Sequence, residues 1–296
     1  MFADEVLVRI LHVSDLHFGP PYLPKVGEAL LRIAPTLEAH AIVVSGDLTQ
    51  RAKAEQFEAA RKFIDQLPPL PRMVVPGNHD VPLYRVWERM STPHALYQKY
   101  ITEDLNPVMQ IPYAILVGVD STSPYTAVSN GRITQEQLDR CVTMFKETPN
   151  GAARIVVAHH HFAPAPDNLK DSRMQRAERA MRQFDELKVD LIMGGHLHRA
   201  YIGNSLDFYP GKDRDRGIII CQSGTTTSRR GRGREREKNS FNIVEIGRKT
   251  IQITHYMYFS TGDGFEPTSR HTFRRGISEL PEGRMIEEAE KSVVAK

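Results

Sequence analysis

The chain has 296 residues, of which 40% are apolar and 25% are charged, as is typical of a globular protein. This composition excludes global disorder, a collagen repeat and a coiled coil, and the length is sufficient to bury a core without disulfides. The net charge is only +3, from 39 basic and 36 acidic side chains, so it does not indicate a protein whose whole surface binds polyanions.

The two cysteines, Cys141 and Cys221, are too few for a disulfide framework, and neither lies in a CxxC metal motif. A reducing, cytoplasmic setting is therefore expected. The N-terminus is acidic and lacks the basic start of a secretion signal, and the apolar runs have the length of strands. We therefore expect neither secretion nor a membrane-spanning helix.

The first part of the chain alternates short β-branched runs with longer amphipathic stretches, which predicts a β-α-β-α-β series. Strands are predicted at Val6–Val13, 41–45 and 72–75, with helices between them at 25–39 and 52–67. Strands separated by crossover helices are parallel, so this pattern indicates an α/β fold.

Residues 81–112 interrupt this pattern with four prolines and several aromatic side chains, and we expect a cap-like insertion of irregular helices and loops. The aromatic side chains either hold part of a substrate or pack the cap onto the sheets. These candidates are Tyr84, Trp87, Tyr97 and Tyr100.

The regular pattern resumes after the cap and changes again near the C-terminus. Thr134 and Gln137 form a capping box at the start of one predicted helix. The last strands have no long helices between them, so a parallel portion is followed by antiparallel strands, which indicates two packed sheets. Strands are predicted at 113–119, 154–158, 191–194, 217–221, 241–246 and 250–258, helices at 134–146 and 171–187, and a hairpin turn at 247–249. We expect one domain over residues 1–274 and a peripheral tail over 275–296.

Polar side chains that bind metal ions follow five of the predicted strands. In open α/β sheets the ligand site lies at the carboxyl ends of the strands, so these clusters are expected to converge. One such pair is usually a chance match or a turn, but five at successive strand ends rarely arise by chance. The clusters are Asp15 with His17, Gly46-Asp47, Gly77-Asn78-His79-Asp80, His159-His160-His161 and Gly195-His196-Leu197-His198.

These clusters offer carboxylates, one carboxamide and several imidazoles. The mixture suits Mn, Fe or Zn better than Ca or Mg, which prefer oxygen ligands. The candidates outnumber the four ligands of a tetrahedral ion, so we expect two divalent ions bridged by a carboxylate.

The order of these motifs, D-x-H, G-D, G-N-H-D, H and G-H-x-H, resembles that of the calcineurin-like metallophosphoesterase superfamily over residues 8 to about 200. The resemblance implies a four-layer α/β/β/α sandwich, with two packed mixed sheets flanked by helices and a two-metal centre at the strand ends. It implies one ion held by Asp15, His17 and His198, a second held by Asn78, His159 and His196, and a bridging carboxylate from Asp47.

The resemblance also implies roles beside the metal ions. His79 resembles the histidine near the leaving group, and Asp80 resembles a residue that orients it. Within the histidine triplet, His159 directly follows the predicted strand and is the natural ligand, but a shift of the strand end by one residue would select His160.

The implied metal pair suits hydrolysis of a phosphoric ester. Two cations roughly 3.5–4 Å apart acidify a shared water into a hydroxide nucleophile and neutralise the charge of the phosphate. We therefore expect in-line attack without a covalent intermediate, with His79 stabilising or protonating the leaving oxygen.

An arginine-rich segment, residues 228–238, has six basic and two acidic side chains. One interpretation is an anion-attracting loop at the mouth of the site, with Arg229 and Arg230 as substrate-binding candidates. The other is a solvated, flexible loop. Aromatic residues are not interleaved with the arginines, so nucleic-acid binding is possible but not favoured.

The leading hypothesis is a metal-dependent phosphodiesterase acting on a small phosphodiester, because the chain resembles the bacterial cyclic-nucleotide and glycerophosphodiester branch in length and motifs. A DNA-repair-type nuclease, a phosphomonoesterase and a lipid-A-pathway pyrophosphatase are alternatives, although the last often has Arg where this chain has His79. A non-enzymatic scaffold of this fold is the alternative from another class. Scaffold members tend to lack ligands, whereas every metal-binding position is filled here.

Overall fold

A computed structural model describes residues 4–125, 131–164, 173–209 and 216–275. In this part of the chain the strands are β1 (Val6–Val13), β2 (Ala41–Val44), β3 (Arg72–Val74), β4 (Val108–Ile111), β5 (Ala114–Val119), β6 (Ala153–Ala158), β7 (Leu191–Gly194), β8 (Tyr201–Asn204), β9 (Ile219–Gln222), β10 (Ser240–Gly247), β11 (Thr250–Phe259) and β12 (Gly264–Arg274). The helices are α1 (Pro24–Ile33), α2 (Ala54–Gln66), α3 (Val86–Ser91), α4 (Ala95–Tyr100), α5 (Gln135–Lys146) and α6 (Ala177–Glu186).

The strands form two six-stranded sheets. The first has the order β12-β11-β10-β1-β2-β3, and the second has the order β4-β5-β6-β7-β9-β8. In the first sheet β1, β2 and β3 are parallel, and in the second β5, β6, β7 and β9 are parallel. The other strands pair antiparallel, so both sheets are mixed.

Successive side chains of β1 point to opposite faces of the first sheet, as in any β-strand. Val8 and Ile10 join the core between the sheets. Leu11 and Val13 lie on the other face, in the core that includes the apolar sides of α1 and α2.

The second sheet divides its side chains in the same way. Ile155 and Val157 of β6 join the core between the sheets. Val156 and Ala158 face the opposite core, which contains apolar residues of α5 and α6. Helices therefore cover the outer face of each sheet, and the four-layer α/β/β/α sandwich is confirmed.

Local signals explain where the helices begin and end. The predicted capping box is present, because the Thr134 side chain accepts from the Gln137 N–H and the Gln137 side chain accepts from the Thr134 N–H. The first helix was expected to reach residue 39, but α1 ends at Ile33 and a 3-10 turn, Ala34–Leu37, follows. Pro35 lies in that turn, and its missing N–H and its ring oppose continuation of an α-helix.

The predicted helix at 171–187 begins later, at Ala177, and residues 165–172 lie outside the described part. Gln175 donates its N–H to the Gly131 carbonyl oxygen, and Arg176 has a left-handed φ of 67°. The chain just before α6 therefore forms a bridge to a neighbouring segment instead of a helical turn.

The structure contains three strands, β4, β8 and β12, that the sequence analysis did not predict. Strand β4 lies inside the expected cap and pairs with β5, and β8 is a four-residue edge strand. Strand β12 forms an edge of the first sheet, and most of its side chains are exposed, so it lacks the apolar alternation that identifies a strand.

The aromatic residues of the expected cap divide into two groups. Tyr97 is fully buried, and Tyr100 is partly buried against the same core. Tyr84 and Trp87 are 74% and 89% exposed. The packing interpretation therefore holds for the first pair and leaves the second pair available at the surface.

Of the expected peripheral tail at 275–296, only Arg275 lies in the described part of the chain. This residue is buried, and its guanidinium donates to the Gly247 and Gly151 carbonyl oxygens. Arg275 therefore packs against the domain.

Tyr97 provides a test of how firmly the cap is attached, because its hydroxyl donates to the Val74 carbonyl oxygen at 3.0 Å beneath α4. We expect Tyr97→Phe to lower the free energy of unfolding by about 1–3 kcal/mol, since it leaves a buried carbonyl without a donor. Urea unfolding measures the loss. Exposed Tyr84→Phe serves as the control, and equal effects of the two changes would contradict the assigned role.

Candidate metal centre

The candidate ligands meet where strands of both sheets end. Each follows a strand directly or within a few residues, as the α/β topology requires. Asp15 and His17 follow β1, Asp47 follows β2, Asn78 follows β3, His159 and His160 follow β6, and His196 and His198 follow β7.

The first cluster contains Asp15, His17, Asp47 and His198, whose donor atoms lie within 4.8 Å of one another and whose side chains are all buried. His17 Nε2 lies 3.1 Å from His198 Nε2 and 3.6 Å from Asp47 Oδ2. Ligands bound to one ion at about 2.0–2.2 Å lie roughly 3–3.5 Å apart. The spacing therefore fits a single metal ion.

The hydrogen bonds of His198 add a second reason for a cation. Its Nδ1 donates to the Arg230 carbonyl oxygen at 3.0 Å, which turns Nε2 toward Asp15 Oδ1 at 3.0 Å. That oxygen accepts no hydrogen bond from the described residues. This orientation would let the ring nitrogen and the carboxylate oxygen hold one cation together.

The second cluster brings together ring nitrogens of His159, His160 and His196 within 4.8 Å. The Asn78 side-chain oxygen joins them, at 3.2 Å from His159 Nε2 and 2.9 Å from His196 Nδ1. Imidazole and carboxamide donors suit Mn, Fe or Zn. The structure thus places both alternatives from the histidine triplet beside this cluster.

Asp47 lies between the two clusters. Its Oδ1 is 3.4 Å from His159 Nε2, and its Oδ2 is 3.6 Å from His17 Nε2. Oδ1 also accepts the His79 N–H at 2.8 Å, whereas Oδ2 accepts no hydrogen bond from the described residues. One carboxylate that faces two groups of nitrogen ligands has the placement of a bridging ligand.

The electrostatics of the site favour ionised carboxylates. Burial alone would raise the pKa of Asp15 and Asp47, but the surrounding histidines hold both pKa values well below the usual range. Burial lowers the pKa of His17 to about 4. Burial opposes protonation of His159 as well, but Asp47 raises its pKa to about 9. The site therefore holds two negative charges that attract a cation.

Several of these residues have backbone conformations that non-glycine residues rarely adopt. The φ angles are positive, between 50° and 73°, at five of the seven expected ligands. Such conformations cost free energy, and the surrounding fold must impose them. The residues are Asp15, His17, Asp47, His196 and His198.

Two motif glycines allow the clusters to approach each other. Gly46 has a φ of 95°, and a Cβ there would lie 2.6 Å from the His159 ring. A Cβ on Gly77 would lie 2.3 Å from the Asp47 side chain. These glycines of the GD and GNHD motifs are needed because a side chain would occupy the space of the candidate ligands.

Asp80 has different contacts from those that the resemblance implies. Its carboxylate is buried and accepts three backbone N–H groups, from Leu48 at 3.1 Å, Thr49 at 2.9 Å and Gly77 at 2.9 Å. It therefore joins the loop after β2 to the loop after β3. The contacts on the ring of His79 come from other residues.

The His79 ring is held by Gln50 and Arg230. Its Nδ1 lies 2.9 Å from the Gln50 carbonyl oxygen and therefore donates, and its Nε2 accepts from the Arg230 guanidinium at 3.0 Å. Burial lowers the pKa of His79, and Arg230 lowers it further while Asp47 opposes. The neutral ring is therefore favoured, with the guanidinium beside it.

The turn that precedes the arginine-rich segment is anchored to the loop after β1. Thr225 and Thr227 are buried and donate their hydroxyls to the carbonyl oxygens of Asp15 and Leu16. Arg230 is partly buried, while Arg229 stays exposed. Sequence reasoning did not assign the threonines a role, although their position directly after β9 was a signal.

Within the described residues, no helix combines the length and the apolar character needed to cross a bilayer. A search of curated proteins returned no match.

Solved structures share this fold at low sequence identity. Purple acid phosphatase PPD1 from yellow lupin is 12% identical, with a TM-score of 0.66 over 92% of this chain and 54% of that one. PhoD is 10% identical, with a TM-score of 0.63 over 99% and 77% of the two chains. GAP50 of Plasmodium is 14% identical, with a TM-score of 0.59 over 99% and 96%. The chain thus spans about half the length of the lupin phosphatase.

A family comparison identifies the part of the chain that carries the site. The family described as calcineurin-like phosphoesterase matches residues 8–200, which include most of β1, all of β2 to β7 and all the candidate metal ligands. This match covers more than half of the 296 residues. The chain belongs to the calcineurin-like phosphoesterase family.

Proposed function

We propose that the protein is a metal-dependent phosphodiesterase that hydrolyses a small phosphodiester of the cyclic-nucleotide or glycerophosphodiester type. The observation that carries this proposal is the position of Asp47 between two groups of nitrogen ligands. Family membership supports hydrolysis of a phosphoric ester. The two unpaired cysteines, both buried, agree with a proposed cytoplasmic location.

We assign the ligands in two sets that share Asp47. His159 is preferred over His160 because its Nδ1 donates to the Ser45 carbonyl oxygen at 2.8 Å, which directs Nε2 toward Asp47. The ring of His160 instead bonds the Ser121 hydroxyl through Nδ1. The first set is Asp15, His17 and His198, and the second is Asn78, His159 and His196.

When bound, two Mn, Fe or Zn ions would supply an acidified water and charge neutralisation for the phosphate. The protein groups orient the reactants. His79 lies at one side of the centre, beside the expected leaving oxygen, and the Arg230 guanidinium donates to its Nε2 and fixes the ring. Asp80 holds the loops that carry Asp47 and Asn78 in register.

Two cavities beside His79 support a diester substrate. One has a volume of about 200 Å³ and includes Asn78, Leu83 and Thr122 in its lining. The other has a volume of about 600 Å³ and is lined partly by Arg229. A diester has two ester arms and a monoester only one, so two adjacent cavities that share His79 suit the diester.

The other functions of this fold are weaker candidates. A nuclease or a monoesterase would use the same metal centre, but neither needs two separate cavities beside it. A scaffold role has a precedent in the fold, since GAP50 is described as an anchor in the inner membrane complex. The complete set of donors favours an enzyme here.

The metal assignment predicts about two ions per chain after loading with Mn²⁺. Asp47→Asn should reduce the content to below one, because a neutral amide is a poor bridge. Elemental analysis measures both values. Asp139→Asn, an exposed change on α5, should leave the content unchanged. A wild-type content of one ion in excess Mn²⁺ would contradict the proposal.

His79→Ala should keep both metal ions but lower kcat by roughly 10²–10⁴, as expected for loss of a group that acts on the leaving oxygen. Steady-state kinetics and elemental analysis on the same preparation test this. Loss of a metal ion with this change would place His79 among the ligands.

Selectivity for diesters is tested with bis-p-nitrophenyl phosphate and p-nitrophenyl phosphate. We expect the diester to have the higher kcat/KM, because the second aryl arm gains a cavity to bury its apolar surface. A clear preference for the monoester would overturn the phosphodiesterase proposal and leave the metal centre intact.

A further inference from the structure

The larger cavity beside His79 is open to solvent and strongly basic. Arg51, Arg229 and Arg230 all line it, and the rest of its lining consists of proline, glutamine and histidine. No carboxylate is present in this lining. The smaller cavity shares Arg51 and has one further arginine, Arg89. A cavity of about 600 Å³ is large enough for a nucleoside-sized group.

The hydrogen-bond partners of these arginines are neutral within the described part of the chain, and the carboxylates Asp47 and Asp15 act on Arg230 through their charge without a hydrogen bond. Arg230 donates to the Gln50 side-chain oxygen at 3.0 Å and to His79 Nε2 at 3.0 Å. Arg229 donates to the Pro20 carbonyl oxygen at 3.3 Å. The Arg51 guanidinium lies 5.0 Å from the centre of the Tyr84 ring.

A guanidinium without a hydrogen-bonded carboxylate keeps N–H groups available for an anion. Arg230 is only partly exposed, and its charge persists because a guanidinium does not deprotonate in proteins. An anion that entered the cavity would gain charge-assisted hydrogen bonds from the guanidinium forks. The scissile phosphate is expected at the metal centre, so a further anion bound in this cavity would belong to an arm of the substrate.

We propose that the natural substrate is an asymmetric phosphodiester, one arm of which carries a second phosphate group that Arg229 and Arg230 bind in the larger cavity. The other arm occupies the smaller cavity. This inference rests on the proposed function, and it names the substrate class of the same site. A phosphate is the favoured anion because it offers several oxygens to two guanidinium groups at once.

The test compares two chromogenic diesters that differ by one group, thymidine 5′-(p-nitrophenyl phosphate) and its 3′-phosphorylated form. Both release p-nitrophenol, which fits the smaller cavity. For the Mn²⁺-loaded protein we expect the 3′-phosphate to raise kcat/KM by about tenfold to hundredfold, the range for charge-assisted hydrogen bonds. Arg229→Gln should abolish most of this ratio.

A matched control lies on the same loop. Arg236 is exposed and does not line either cavity, so Arg236→Gln should retain the ratio of the two substrates. A thermal melt of each variant confirms folding. Equal loss of the ratio in both variants would mean that general positive charge, rather than the cavity, attracts the phosphate, and would overturn the proposal.

A binding measurement separates this inference from the proposed catalysis. In isothermal titration calorimetry without metal, thymidine 3′,5′-bisphosphate should bind more tightly than thymidine 5′-monophosphate, and Arg229→Gln should remove the difference. Equal binding of the two nucleotides by the wild-type protein would refute the second-phosphate site even if diesters are hydrolysed. Absence of turnover with a preserved binding difference would refute only the phosphodiesterase proposal.

An oligonucleotide substrate tests the remaining explanation, which is that the arginines line a nucleic-acid groove. If single-stranded DNA is hydrolysed with a kcat/KM far above that of the 3′-phosphorylated probe, the arginines belong to a nucleic-acid groove and the proposal fails. If the 3′-phosphorylated diester is preferred, binding of a single second phosphate accounts for the arginines of the larger cavity.

Discussion

The rest of the site depends on two buried carboxylates, Asp15 and Asp47, whose oxygens face the ring nitrogens of the surrounding histidines. Asp15 and Asp47 each keep one oxygen without a hydrogen bond among the described residues. In a protein interior this is unfavourable unless a cation completes the site. The left-handed backbone at Asp15 and Asp47 adds a further cost. The three apolar cores supply the stability that maintains this arrangement.

Much of the fold could be predicted because its signals are local. The apolar runs located β1 and β7 at their observed bounds, and the capping box at Thr134 located the start of α5. Edge strands could not be found in this way. The exposed residues of β12 are defined by pairing with β11, and that pairing leaves no periodic apolar pattern.

The candidate site, too, could be predicted only in part from the sequence. Motif spacing identified Asp15, Asp47 and the histidines as candidate ligands, because each follows a predicted strand. The contacts of Asp80 and Thr225 were not accessible, since they join segments that are distant in sequence. Thr225, for example, donates to the Asp15 carbonyl oxygen across 210 positions of the chain. Only the three-dimensional arrangement reveals such partners.

Arg230 contacts the site through two different parts of its structure. Its carbonyl oxygen fixes the ring of His198, and its guanidinium reaches His79. The first contact uses the main chain, so it does not depend on which side chain occupies the position. Side chains at 229 and 230 can therefore be exchanged during evolution without releasing the metal-facing histidine. This separation would let related proteins acquire new substrate preferences while the hydrolytic centre stays assembled.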